Sequence, residues 1–170
     1  MQNMISVQDR VVVVTGAAQG IGNAVARAVL DLGGKVAVVD LKEEPLLTLA
    51  AEFPDRVSTH VGSVCDPAFV ADSVLAVIVH FGQVDGLVNN AGIAIGSPLE
   101  LIPLKQLRRQ LEVNVVGQIA VTQAVLPLLR GARARIVNMG SIAGRGTIPM
   151  MGAYSASKHA LEALTDALRL

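Results

Sequence analysis

The chain has 170 residues, 52% of them apolar but only 2% aromatic, and its 14 basic residues balance 14 acidic ones. Zero net charge gives no electrostatic footprint for nucleic acid or an anionic membrane surface, and the short runs Arg108 to Gln110 and Arg130 to Arg135 read as solvated helix ends and turns. No apolar run approaches bilayer length, the start MQNMISVQDR lacks a signal peptide's charged end and apolar core, and the lone Cys65 cannot form an internal disulfide, so the expectation is a soluble, cytoplasmic, single-domain protein over 1–170.

Arg10 to Thr15 is a continuous β-branched run, the pattern of a parallel strand buried on both faces. It stops at GAAQGIG, where Gly16, Gly20 and Gly22 form a turn before a helix over Asn23 to Leu32, with Val25, Val29 and Leu32 at helical spacing. Glycines there permit a tight turn and let backbone amides, among them those of Gln19, Gly20 and Ile21, approach a pyrophosphate at the helix amino terminus. The next strand, Lys35 to Val39, ends at Asp40. A carboxylate there can accept hydrogen bonds from the adenosine ribose and repel a 2′-phosphate, and neighbouring Leu41 and Gln19 supply no cation, so NAD is expected over NADP. The lesser alternative is that Asp40 merely caps the following turn.

Glu43 to Glu52 reads as a helix, Arg56 to Val61 as a third strand, and Pro67 to Phe81 as a helix with Val70, Val74, Val77, Ile78 and Phe81 inward. His60 and His80 read as structural or surface groups, since no Cys or second His stands at metal-ligand spacing. Asp85 to Asn89 is a fourth strand running into Asn90, Ala91 and Gly92, small and amide residues suited to a backbone lying against a flat ligand. From Leu104 to Leu129 the spacing predicts a long helix, split or continuous, with Leu107, Leu111, Val115, Ile119, Thr122 and Leu126 recurring along it. Asn114 falls mid-helix, a poor position unless its side chain is used internally, either in a polar duty beside the site or in a bond to the neighbouring strand. Ala134 to Met139 is the fifth strand, and a last helix starts near Ala153 and runs to the chain end.

Alternating strands and helices without repeats imply an α/β, doubly wound parallel sheet of order 3-2-1-4-5, with its ligand over the crevice where the order reverses. Ser141 follows the fifth strand, at the carboxyl end where such sheets place ligands, and Tyr154 and Lys158 stand at i and i+4 on one helix face. An ammonium near a phenol favours the phenolate, and a phenol so assisted can exchange a proton with an alcohol or carbonyl.

TGAAQGIG at Thr15 to Gly22, NNAG at Asn89 to Gly92, Asn114, Ser141 and YSASK at Tyr154 to Lys158 together resemble the short-chain dehydrogenase/reductase family, from the first strand to the last residue. The resemblance implies a Rossmann fold that binds NAD through the glycine turn, Asp40, Leu41, Ser63, Val64, Asn90, Ala91, Gly92, Tyr154 and Lys158. It implies Tyr154 as general acid/base, Lys158 assisting it and holding the nicotinamide ribose, Ser141 orienting the substrate oxygen, and Asn114 positioning a relay water. The substrate would be a small-molecule alcohol or carbonyl; Ile148, Met150 and Met151 either wall an apolar pocket or pack on the protein itself. Two departures stand out: Ser63 occupies the place of the usual aspartate after the third strand, and the family's carboxyl-terminal strands and substrate-covering segment are missing from 1–170. Both an enzyme and a catalytically silent NAD-binding or interaction module are therefore carried forward. An apolar edge strand at Ile136 to Met139 leads to the expectation that the chain is marginal, derives from a longer polypeptide, or homo-oligomerises through the helices around 104–129 and 153–170.

Overall fold

The computed structural model describes residues 6–130 and 134–169. The reading of residues 1–5 as part of a leaderless start, and the middle of the Arg130 to Arg135 run, lie outside them. Five strands, β1 (Val11–Thr15), β2 (Lys35–Asp40), β3 (Val57–Val61), β4 (Gly86–Asn89) and β5 (Arg135–Asn138), form one sheet of order β3-β2-β1-β4-β5. Every pairing is parallel, with Val13 opposite both Ala37 and Leu87. The connecting helices are α1 (Gly20–Asp31), α2 (Glu43–Glu52), α3 (Pro67–Phe81), α4 (Leu104–Leu111), α5 (Gly117–Leu129) and α6 (Gly152–Ala167).

The valine runs form strands because successive side chains alternate faces and both faces are covered. Val12, Val14, Val36 and Val38 pack with Ala26, Leu30, Leu46 and Leu49 of α1 and α2. Val11, Val13, Ala37 and Val39 pack on the other side with Val70 and Val77 of α3 and Val121 and Val125 of α5. The α3 boundaries follow local chemistry: Asp66 accepts hydrogen bonds from the Ala68 and Phe69 amides, Pro67 opens the helix, and Gly82 closes it at φ 78°.

Several expectations are sharpened or corrected. Leu32 lies on the solvent side of its turn, 65% exposed, because the helix ends one residue earlier and the chain turns back there through Gly33 and Gly34. The segments α4 and α5 join through a π-helical turn, Glu112–Val116, into one run, Leu104–Leu129, of 26 residues. By length and composition that run could cross a membrane, contrary to the expectation from apolar runs alone. It is nevertheless a core helix here, and its buried face follows the expected stripe only in part: Thr122 is buried, but Leu107, Leu111, Val115, Ile119 and Leu126 are half-buried, whereas Gln110, Asn114, Gln118, Val121, Val125 and Leu129 are buried. Gln110 accordingly does not belong to a solvated end. Finally, α6 closes at Ala167.

Candidate active site

Where β1 ends, the chain is clamped to the end of β4. The Asn90 and Ala91 amides each donate to Thr15 Oγ1 at 3.0 Å, and Asn90 Nδ2 donates to the carbonyls of Thr15 and Gly16, also at 3.0 Å. Gly16 has φ 65°, and a Cβ there would lie 2.9 Å from Ala91 Cα. A Cβ on Gly22 would overlap the Gly16 carbonyl. Glycine is therefore required at both positions, once for conformation and once for contact. Helix α1 begins directly after this turn, and its N-cap Gln19 makes no side-chain cap bond. Its first amides and the positive end of its dipole are thus left for an external anion.

These elements border a cleft of about 380 Å³ at the reversal of strand order, within the usual range for a small-ligand site. Gly16, Gln19, Gly20, Ile21, Asp40 and Leu41 line it together with Ser63 and Val64 after β3 and Asn90, Ala91 and Gly92 after β4. Gly22 lies beneath the turn. Asp40 Oδ2 accepts from the Ala18 amide at 3.0 Å and Oδ1 from the Lys42 amide at 3.1 Å, so the carboxylate does cap local turns and still faces the cleft. Ser63 Oγ accepts from the Cys65 amide at 3.1 Å.

Sequence reasoning missed several cleft residues. Lys42 lines the cleft and its Nζ donates to Gln19 Oε1 at 2.7 Å, so a cation does stand beside Asp40, contrary to the reading that considered only Leu41 and Gln19. Extending that reading by one residue would have found it. Arg109 and Val113 also line the cleft, five and one residues before Asn114 on the same helical run.

On the β5 side, Ser141 caps a short 3-10 turn, Ile142–Gly144, its Oγ accepting from the Ala143 amide at 3.1 Å. Tyr154 and Lys158 share a face of α6, with Lys158 Nζ 5.9 Å from the phenol ring centroid. Lys158 is only 4% exposed, and its Nζ donates to the Met139 carbonyl at 2.7 Å. Burial pushes this amine below the ordinary lysine value, with Glu162 pulling the other way. Asn114 uses its side chain internally, bonding the segment beyond β4 rather than a strand: Nδ2 donates to the Ile93 carbonyl at 2.8 Å and to Ser157 Oγ at 3.0 Å, and Oδ1 accepts from the Ile93 amide at 2.8 Å. Ser157 Oγ in turn donates to the Tyr154 carbonyl at 2.6 Å. The loop after β5 meets the loop after β4 where the Ser97 amide donates to the carbonyl of Met150, a residue held at φ 71°. Ile148 and Met150 are exposed and Met151 is half-buried, so the first two do not pack into the protein.

A parallel sheet in this order, with a glycine turn and an open helix amino terminus at the reversal, defines a Rossmann-type nucleotide-binding fold. The chain belongs to the short chain dehydrogenase family of oxidoreductases, whose model matches residues 10–170. It is 32% identical over 166 residues to an uncharacterized oxidoreductase of Staphylococcus epidermidis, covering 97% of this chain and 72% of that protein. It is 36% identical over 167 residues to the NADPH-dependent 3-dehydrocapnine reductase of Ornithobacterium rhinotracheale, covering 94% of this chain and 59% of that one. Among solved structures, a short chain dehydrogenase/reductase from Burkholderia phymatum in complex with NAD superposes with a TM-score of 0.92 at 34% identity, covering 97% of this chain and 60% of that one. An NAD+-bound xylitol dehydrogenase superposes at 0.90 with 32% identity, covering 96% of this chain and 65% of that one. The chain thus spans under two thirds of the length of these solved relatives.

Proposed function

We propose that this chain binds NAD(H) in the glycine-turn cleft and serves interconversion of a secondary alcohol and a carbonyl, with Tyr154 as general acid/base. The observation that carries the reading is the placement of a desolvated Lys158 amine beside the Tyr154 ring on one face of α6. The cleft suits the dinucleotide: Gly16 and Gly22 let the turn pack closely against Asn90 and Ala91, and the uncapped start of α1 offers amides to a pyrophosphate. When bound, the nicotinamide supplies or accepts the hydride.

The chain's own groups divide the remaining work. Ser141 Oγ already accepts from the Ala143 amide, so its hydroxyl proton is available to a substrate oxygen. Tyr154 exchanges a proton with that same oxygen. Lys158 spends one ammonium proton on Met139 and keeps two, for a ribose hydroxyl and for the phenol oxygen. Asn114 fixes the segment at Ile93 to α6 through Ser157, and its relay duty belongs to this proposal. Asp40 retains acceptor capacity for ribose hydroxyls and opposes a 2′-phosphate, while Lys42 is engaged by Gln19; both favour NAD.

A second reading is a silent NAD-binding module, which would keep the cofactor cleft without turnover. Homo-oligomer contacts fall in this proposal on the run from α4 to α5 and on α6; Leu104, Val116 and Leu128 are exposed along the former. A cytoplasmic site of action is part of the same reading. The test is Tyr154→Phe assayed with a panel of secondary alcohols and both cofactors. The enzyme reading expects turnover to fall about 100-fold or more while NAD binding holds. Turnover unaffected by the substitution would sink it, and binding of NAD without any turnover in the parent would leave the silent module.

A further inference from the structure

Beyond Asn89 the sheet pairing of β4 ends, yet the chain continues through Ile95 along the helical run from α4 to α5. Four side chains of that run take up groups of this segment in turn. The Ile95 amide donates to Gln110 Oε1. Asn114 brackets both the amide and the carbonyl of Ile93 at 2.8 Å. Gln118 Nε2 donates to the Ala91 carbonyl at 3.0 Å, and Asn89 Nδ2 donates to Thr122 Oγ1 at 2.8 Å. The helix therefore steps by four residues for every two of the facing segment.

The match is geometric. Four helical residues rise about 6 Å and two strand residues about 6.6 Å, so the two ladders stay in step. A regular helix would rotate each step by about 40°, or about 120° over the ladder. The wider π turn at Glu112–Val116 turns less per residue and takes part of that drift back. All four side chains are at most 2% exposed. Packing does not account for them, because Gln110 Nε2 and Gln118 Oε1 have no partner among the described residues, a cost that apolar side chains would avoid. What the ladder secures is the backbone from Ala91 to Ile95, and both Ala91 and Ile93 line the cleft. It also reaches the helix of Tyr154, since Asn114 Nδ2 donates to Ser157 Oγ.

We propose that Gln110 and Gln118 are positioning residues for the nicotinamide end of the cofactor site, holding the Ala91 to Ile95 backbone in register with α6. The adenosine end, built on Asp40 and the glycine turn, is hydrogen-bonded by neither glutamine. This inference rests on the cofactor reading above. The experiment is isothermal titration of the purified chain and of Gln110→Met and Gln118→Met with NAD and with AMP. Each substitution is expected to weaken NAD about fivefold, the worth of one hydrogen bond, and AMP less than about twofold. Gln123→Met, exposed on the same helix, is expected to change neither. Equal losses for both ligands, or none, overturn the proposal. Should a Met variant fail to fold, the shorter Gln110→Asn or Gln118→Asn is read in the same way.

Hydrogen exchange separates this inference from the cofactor reading, because it needs no ligand. In Gln110→Met the Ile95 amide is expected to exchange at least about fivefold faster than in the parent, with Ile93 changing less. Unchanged exchange at Ile95 overturns the ladder, whereas a parent that binds no NAD overturns the cofactor reading and, with it, the assignment of the ladder to that site.

Discussion

The two sides of the crevice at the end of β1 are held in place by different forces. On the β2 side, β1 and β2 are buried on both faces by aliphatic side chains, and the Gly16 amide is fixed by the Val39 carbonyl at 2.8 Å. On the β4 and β5 side, side-chain hydrogen bonds carry the geometry: Asn89 to Asn138, Asn138 to Thr165, Asn114 to Ser157 and Lys158 to Met139. There β5 is an edge strand with Val137 49% exposed. Aliphatic packing is strong but non-directional, whereas a buried polar network is directional and costly wherever it is incomplete. The first side is built for rigidity, and the second fixes where particular groups point.

The sharpest way to break the first side is Gly22→Ala. The added methyl must displace the Gly16 carbonyl or Asn90, which costs about 2 kcal/mol and should abolish measurable NAD binding; an unchanged melting temperature and NAD affinity would show that the turn has slack. Next in size, Asp40→Ser removes the carboxylate while Lys42 remains. The NAD/NADP affinity ratio should shift toward NADP by about tenfold, roughly 1.4 kcal/mol, and a constant ratio in competition titrations would contradict the role given to Asp40.

The second side should behave in the opposite sense. Burial lowers the Lys158 pKa, so its ammonium opposes folding at every pH below the folded value, and the penalty fades as pH rises toward the unfolded value near 10.4. Lys158→Met should therefore stabilise the fold by about 1 kcal/mol at pH 7, with the gap to the parent narrowing in alkali. A less stable variant would mean that the bond to Met139 outweighs the desolvation. The smallest effect concerns His60, buried at the far edge strand and bonded to Ser58 at 2.8 Å. Burial, and secondarily His80, lower its pKa. It costs nothing above its unfolded value of about 6.5 and destabilises the fold progressively as pH falls through that value toward the folded one. Thermal melts between pH 7.5 and 5.5 should fall more steeply for the parent than for His60→Gln.

The same contrast governs what was legible in the sequence. The valine runs of β1 and β2, the glycine turn and the helix from Pro67 to Phe81 all speak through local pattern, and their structures follow. The inner face of the α4 to α5 run does not. A search for an apolar stripe selects Leu107, Leu111, Val115 and Ile119, which are half-buried, whereas Gln110, Asn114 and Gln118 are buried on the same run as Val121, Val125 and Leu129, because these three polar side chains bond a backbone segment rather than fill a side-chain core. Lys42 escaped for a simpler reason, since the reading of the cations beside Asp40 stopped at Leu41; its bond to Gln19 shows only in the structure. Tyr154 and Lys158 were legible because one helical turn suffices to bring them together.

Hydride transfer in this crevice, with Tyr154 moving the proton, is tested most directly by following deuterium by NMR from the carbinol carbon of a labelled secondary alcohol with NAD present. Label is expected on C4 of the nicotinamide ring with the parent protein and almost none with Tyr154→Phe. Label washing into solvent instead, or reaching the ring equally well without the phenol, would contradict that role.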